Sequence, residues 1–209
     1  MNDLDRVLSS LLHDLRSPLG VAGGYLRLLR EGRLASAADT ERAIVKTQEA
    51  LRTMTRLCGD ASTWLDLEPP PAPRTYSVAG LLALVATHAE ARRLPLDLPA
   101  PDPGQALTLS GHDDAVAHAV AVLMSAVAAT GTRTCTATCD ATCLHFSVRD
   151  RGTTEIPPAP FDPWRYRGLA APLAHRIIVE AGGRCVRDAE ARQPLRVEFT
   201  LDPPPPVAA

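Results

Sequence analysis

The sequence predicts two architectures in one chain: an all-α helical hairpin that pairs into a dimeric four-helix bundle, then an α+β sandwich. Three observations predict this. Apolar residues recur in alternating steps of three and four through the first 67 positions. A proline run then breaks the chain at Pro69-Pro70-Pro71. Beyond it, apolar spacing switches between helical and strand periods. The 209 residues are 45% apolar, enough for two cores, but only 4% aromatic, so Leu, Val and Ala must fill them.

The first helix is expected over 3–31. Leu4, Leu8, Leu12, Leu15, Leu19, Ala22, Leu26 and Leu29 mark one inward face. Asn2 or Asp3 suits its start, and Gly32 suits the position just past its end. Ser36 and Asp39 form an approximate capping box, with Asp where Glu or Gln is usual. It opens a second helix reaching about Leu67, with inward positions Ile44, Thr47, Leu51, Met54, Cys58, Ala61 and Leu65 at heptad spacing. Two long helices joined by a short loop cannot bury such stripes alone, so a homodimer is expected.

The resulting division is a helical hairpin at 1–67, a stiff Pro-rich linker at 68–75, an α+β domain at 76–202 and a Pro-rich tail at 203–209. Within the α+β domain, helices are expected over 78–92, 113–129 and 169–181. Strands are expected over 94–98, 106–109 and 195–201, with a hairpin over 132–148 turning near Asp140-Ala141. That order builds a mixed sheet with helices on one face.

A net charge of −2 gives no electrostatic case for nucleic acid or an anionic membrane. No apolar run approaches the ~20 residues that span a bilayer. Asp3 and Asp5 do not suit a signal peptide, and five cysteines, an odd number, suit reduced thiols in the cytoplasm. Cys135, Cys139 and Cys143 have the spacing of a metal cluster. In the expected hairpin, however, Cys143 points away from the face carrying Leu144, Phe146 and Val148. They are therefore read as small buried thiols, with no metal site.

One stretch carries chemistry: Leu11-Leu12-His13-Asp14-Leu15-Arg16-Ser17-Pro18-Leu19. His13 falls beside the apolar stripe, where its ring reaches solvent. Pro18 leaves the Asp14 carbonyl without its usual partner, and an interior proline costs about 3 kcal/mol. The plain structural reading is a helical histidine beside a chance proline. These residues resemble the H-box of two-component histidine kinases, His-Glu/Asp-x-x-x-Pro, whose histidine becomes phosphorylated. Val148-Arg149-Asp150-Arg151-Gly152 resembles the G1 box of the kinase ATP-binding domain, and Gly168 to Gly183 resembles the G2 box with its helix. The likeness covers nearly the whole chain and implies the histidine kinase ATPase (Bergerat) fold for the second domain.

The same likeness shows the nucleotide chemistry degraded. Ala121 and Ser125 stand where the family has metal-binding asparagines, and Ala128 stands where it has a lysine. Asp150, Gly152 and Gly168 remain, but Thr154 replaces the second G1 glycine. Pro172 removes an amide where a helix start should face phosphate, and the lid before Gly168 is short. Asp150 and Gly152 therefore read as turn residues, and no cofactor is expected.

The function implied is a histidine phosphotransferase of a phosphorelay. His13 accepts phosphoryl from one response-regulator receiver and passes it to another, without ATP-dependent autophosphorylation. Mg²⁺ comes with the receiver, and an imidazole is a neutral nucleophile at cytosolic pH. Asp14 orients the ring, Ser17 orients a water or phosphoryl oxygen, and Arg16 and Pro18 meet the receiver. Partners implied are response-regulator receivers, a hybrid histidine kinase and a second copy of this chain. With only twelve residues before His13, the input is expected to arrive from another protein. The alternatives are a kinase-like module that binds a receiver or an active kinase without chemistry, and a short soluble histidine kinase.

Overall fold

The computed structural model describes residues 3–66, 71–102, 104–129, 133–150, 160–166, 168–188 and 193–203. Two compact units divide the chain: the helical hairpin together with Gly168 and Leu169, and the α+β domain.

In the first unit, α1 spans Asp3–Arg30 and α2 spans Ala37–Leu65. The helix stops where the sequence provides a left-handed residue. Gly32, at φ 64°, donates to the Leu29 carbonyl at 3.2 Å, and Arg33 donates to that of Leu28 at 3.1 Å. This is the paired bond set of a Schellman stop. Ser36 caps α2 by accepting the Asp39 N–H at 3.1 Å, and its hydroxyl donates to the Asp39 carboxylate at 2.7 Å. The shorter Asp thus closes a box of its own with the hydroxyl. Asn2 lies outside the described residues.

The inner faces share Ala22, Thr47 and Ala61 with the stripes expected but differ from them at the larger residues. Val7, Pro18 and Ala22 are buried on α1, and Ala43, Thr47, Ala50, Leu57, Ala61 and Trp64 on α2. Leu4, Leu8, Leu12, Leu19 and Leu26 are exposed, as are Ile44, Leu51, Cys58 and Leu65. The cause is geometric. Each helix carries two neighbouring apolar rows, and one antiparallel partner covers only one of them. Periodicity measures the combined stripe, so it locates the larger side chains rather than the row facing the partner.

The second unit holds α3 (Val78–Ala91), α4 (Asp113–Ala128) and α5 (Ala170–Glu180). Its five-stranded sheet runs β2-β4-β5-β7-β6, from Leu96–Asp97, Arg133–Cys139, Cys143–Asp150, Gln193–Thr200 and Arg184–Asp188. β2 and β4 are parallel, and the other pairs are antiparallel. Register pairs Cys135 with Val148 and Phe146 with Val197, so the apolar alternates of neighbouring strands meet on one face. There α4 packs across β4, β5 and β7. Phe146 and Phe199 meet edge to face at 6.4 Å within this core. A separate ribbon pairs β1 (Arg74–Ser77) with β3 (Ala106–Leu109).

Strands β1 and β6 have no counterpart in the sequence reading. β1 follows directly on the prolines and straddles the boundary between the stretches assigned to the linker and to the α+β domain. β6 is a five-residue edge strand with three charged residues, Arg184, Arg187 and Asp188. Charged edges suppress the apolar signal that periodicity detects. Cys135 is buried on the core face, where burial pushes its thiol up to about 11. Cys143 sits on the opposite face of the hairpin, so the three cysteines do not converge. Among the described residues, no helix is long and apolar enough to cross a membrane.

Candidate functional site

The site is built on α1 and completed by α2. His13 follows the heptad leucine Leu12 and stands well out of the hairpin, with 81% of its side chain exposed. Its Nδ1 lies 3.1 Å from Oδ1 of Asp14. Asp14, one position on, is turned toward the packed side and is only 17% exposed. Its second oxygen, Oδ2, accepts the backbone N–H of Gly168 at 2.9 Å. Gly168 reaches this position with φ 79°, a left-handed conformation that an L side chain adopts only at a cost.

Around this pair lies a cavity of about 180 Å³, lined by His13, Ser17 and Pro18 from α1 and by Thr53, Arg56 and Leu57 from α2. The structure therefore brings His13, Asp14, Ser17 and Pro18 together. Pro18 is buried, which makes it part of the cavity wall and not of the exposed surface. Arg16 is exposed and is not among the lining residues.

Thr53, Arg56 and Leu57 were not legible as site residues. Their only signal was the register between α1 and α2, which depends on the true phase of the α2 stripe. With Ala50 and Leu57 as inner residues, Arg56 and Thr53 fall on the flank beside His13. Arg56 also lies 3.4 Å from Asp60, one turn on.

No protein-family model matches the sequence, and no curated protein matches it. Solved structures do. The Acinetobacter baumannii histidine kinase AdeS aligns with a TM-score of 0.55 and 14% identity, over 91% of this chain and 97% of that one. Histidine kinase ThkA, solved with response regulator protein TrrA, aligns with a TM-score of 0.61 and 16% identity over 92% of this chain. The fold is that of a histidine kinase. ShkA, solved full-length with AMPPNP, has a TM-score of 0.50 and 21% identity over 93% of this chain. This chain spans 60% of the ThkA chain and 44% of the ShkA chain.

A histidine kinase fold implies Mg²⁺ and ATP in the second unit, and the residues at the implied positions do not fit them. Ala121 is fully buried and has no ligand atom. Ala128 has none either, and Ser125 offers one half-buried hydroxyl, a poor ligand for a metal that demands near-ideal octahedral geometry. Asp150 is the register partner of Arg133, with Oδ2 3.7 Å from Nη2 and both side chains largely buried. Pro172 is buried in the first turn of α5, where it contributes no N–H. Gly168 groups with the helical unit, and its N–H is taken up by Asp14. Gly152 and Thr154 lie outside the described residues.

Proposed function

We propose that the chain is a histidine phosphotransferase of a two-component phosphorelay, accepting phosphoryl on His13 from one response-regulator receiver and passing it to another. The observation that carries this reading is the His13–Asp14 contact. A carboxylate 3.1 Å from Nδ1 selects the tautomer with the proton on that nitrogen. The lone pair is then on Nε2, on a ring that is mostly in solvent.

The step balances without ATP. Nε2 attacks the phosphorus of a receiver's aspartyl phosphate, an N–P bond forms, and the acyl-phosphate P–O bond breaks to return a carboxylate. The Nδ1 proton stays hydrogen-bonded to Asp14, which stabilises the positive charge growing on the ring. A second receiver's carboxylate reverses the sequence. Phosphoryl transfer depends mainly on positioning and charge stabilisation, so a sparse site suffices when the receiver brings Mg²⁺. Ser17 lines the cavity, which supports a role in orienting a phosphoryl oxygen or water. Arg16 offers an exposed cation to an acidic receiver surface, while the buried Pro18 shapes the wall. The pairing of ThkA with a response regulator supports this kind of partner, and a hybrid histidine kinase is a suitable phosphoryl source.

The exposed rows led by Leu12 and Leu51 support a homodimer, because a second hairpin covers them as the first covers Ala22 and Ala50. Five free thiols suit the reducing cytoplasm, where we place the protein. Incubation with a panel of phosphorylated receivers tests the proposal, with label moving onto this chain as the expected result.

A further inference from the structure

The outer face of the β-sheet carries a cluster that phosphotransfer does not use. The turn between β4 and β5 sets Asp140 opposite Cys143, with the Asp140 N–H donating to the Cys143 carbonyl at 3.0 Å. Two residues on, the strand period returns His145 to the same face. A carboxylate oxygen of Asp140, Sγ of Cys143 and a ring nitrogen of His145 all lie within 4.8 Å of one another.

Each donor is held for this arrangement. Asp140 Oδ1 accepts from the Thr142 N–H at 2.7 Å, the Cys143 N–H at 2.8 Å and the Thr142 hydroxyl at 2.9 Å. These bonds, the Thr142 amide foremost, hold its carboxyl down to about 2. Oδ2 is left facing His145 Nε2 at 3.4 Å. The other ring nitrogen, Nδ1, is buried and makes no hydrogen bond. It faces Glu198 Oε1 at 3.9 Å, from the register partner of His145 on β7. Arg196 steadies that carboxylate at 2.8 Å.

We propose that Asp140, Cys143 and His145 bind a divalent cation of the zinc type, with Glu198 accepting the Nδ1–H behind the liganding imidazole. The donor set decides the class. Thiolate with imidazole selects zinc-like ions over the oxygen-seeking Mg²⁺ and Ca²⁺. Donors bound to tetrahedral zinc at ~2.0–2.3 Å stand roughly 3.3–3.8 Å apart, so side-chain rotations of about an ångström close the site. Three protein ligands leave the fourth position to water. A carboxylate behind the metal-bound histidine is the usual outer partner of such a ligand, and it gives the buried Nδ1 its hydrogen bond.

Cobalt titrated alone into the full chain tests the site, because a thiolate bound to Co²⁺ gives an intense near-ultraviolet charge-transfer band. The expected result is one equivalent of Co²⁺, displaced by Zn²⁺. Cys143→Ser should abolish the band, and Glu198→Gln should weaken metal affinity about 10–100-fold. Cys139→Ser, on the core side of β4, should leave the band intact. A readout independent of variant folding is alkylation of the unmodified protein, in which Zn²⁺ should shield Cys143 from the reagent. Absence of a thiolate band, a band surviving Cys143→Ser, or alkylation of Cys143 unchanged by Zn²⁺ would overturn the proposal.

Discussion

Asp14 is engaged at both oxygens: Oδ1 stands 3.1 Å from His13 Nδ1, and Oδ2 receives the Gly168 N–H at 2.9 Å. A carboxylate bonded at one oxygen has little freedom to rotate the other, so the backbone at Gly168 fixes the atom that orients the nucleophile. Asp14→Asn preserves shape but removes the charge, and its amide can turn an N–H toward Nδ1. Phosphoryl transfer to His13 should then slow on the order of 10²-fold, as expected of a mispositioned reacting group. Rapid-quench kinetics with a phosphorylated receiver measures this, and an unchanged rate would remove Asp14 from the mechanism.

Leu51 is 51% exposed in the hairpin, so Leu51→Glu does not disturb the fold of one protomer. In the proposed dimer it buries an uncompensated charge, a penalty of about 3–5 kcal/mol. Light scattering should show dissociation with helical circular dichroism retained. Leu57→Ala is the contrast. Leu57 is 3% exposed, and this truncation should cost about 2–5 kcal/mol of hairpin stability. A wild-type monomer at micromolar concentration would refute the dimer.

The hairpin's two faces show what sequence conveys. Both long helices, their stop at Gly32 and the cap at Ser36 follow from local chemistry, which the chain states directly. So does the β4–β5 turn at Asp140, because a side chain that satisfies two turn amides belongs there. The inner stripe is legible at Ala22, Thr47 and Ala61 but not at Ala50, since Leu51 and Ala50 are adjacent and the larger residue faces outward. For the same reason Thr53 and Arg56 stayed hidden beside His13. The cluster at Cys143 is not visible in the cysteine spacing, which runs along the hairpin, whereas the cluster forms across its turn. Its neighbours Asp140 and His145 are found by asking what shares the opposite face.

Acid should weaken the second unit through two histidines, the half-buried His175 and the more exposed His118. His175, stacked on Phe161 at 5.8 Å, is pushed below the ordinary histidine value by burial, with Asp162 opposing. His118 is lowered by burial first, then by Arg92 and His88. A lowered folded value means that the unfolded chain binds protons more readily, so stability rises with pH through that window. The thermal midpoint should therefore fall as pH drops below about 6.5, and His175→Gln should flatten part of that decline. An identical pH profile in the variant would contradict the assignment.

Calorimetry with Mg²⁺ and ATP should give no heat of binding up to millimolar nucleotide. Ala121 and Ala128 supply no donor, and Asp150 is engaged by Arg133. A micromolar dissociation constant would restore a kinase reading.

The most direct measurement is transfer of label from a phosphorylated receiver to this chain and to His13→Ala. The account predicts an acid-labile, base-stable phosphoramidate on the native chain and none on the variant. The dimer and thermal midpoint should be nearly unchanged, since a side chain 81% exposed contributes little packing. Label persisting in His13→Ala would contradict the account, as would a receiver that binds both forms equally and labels neither.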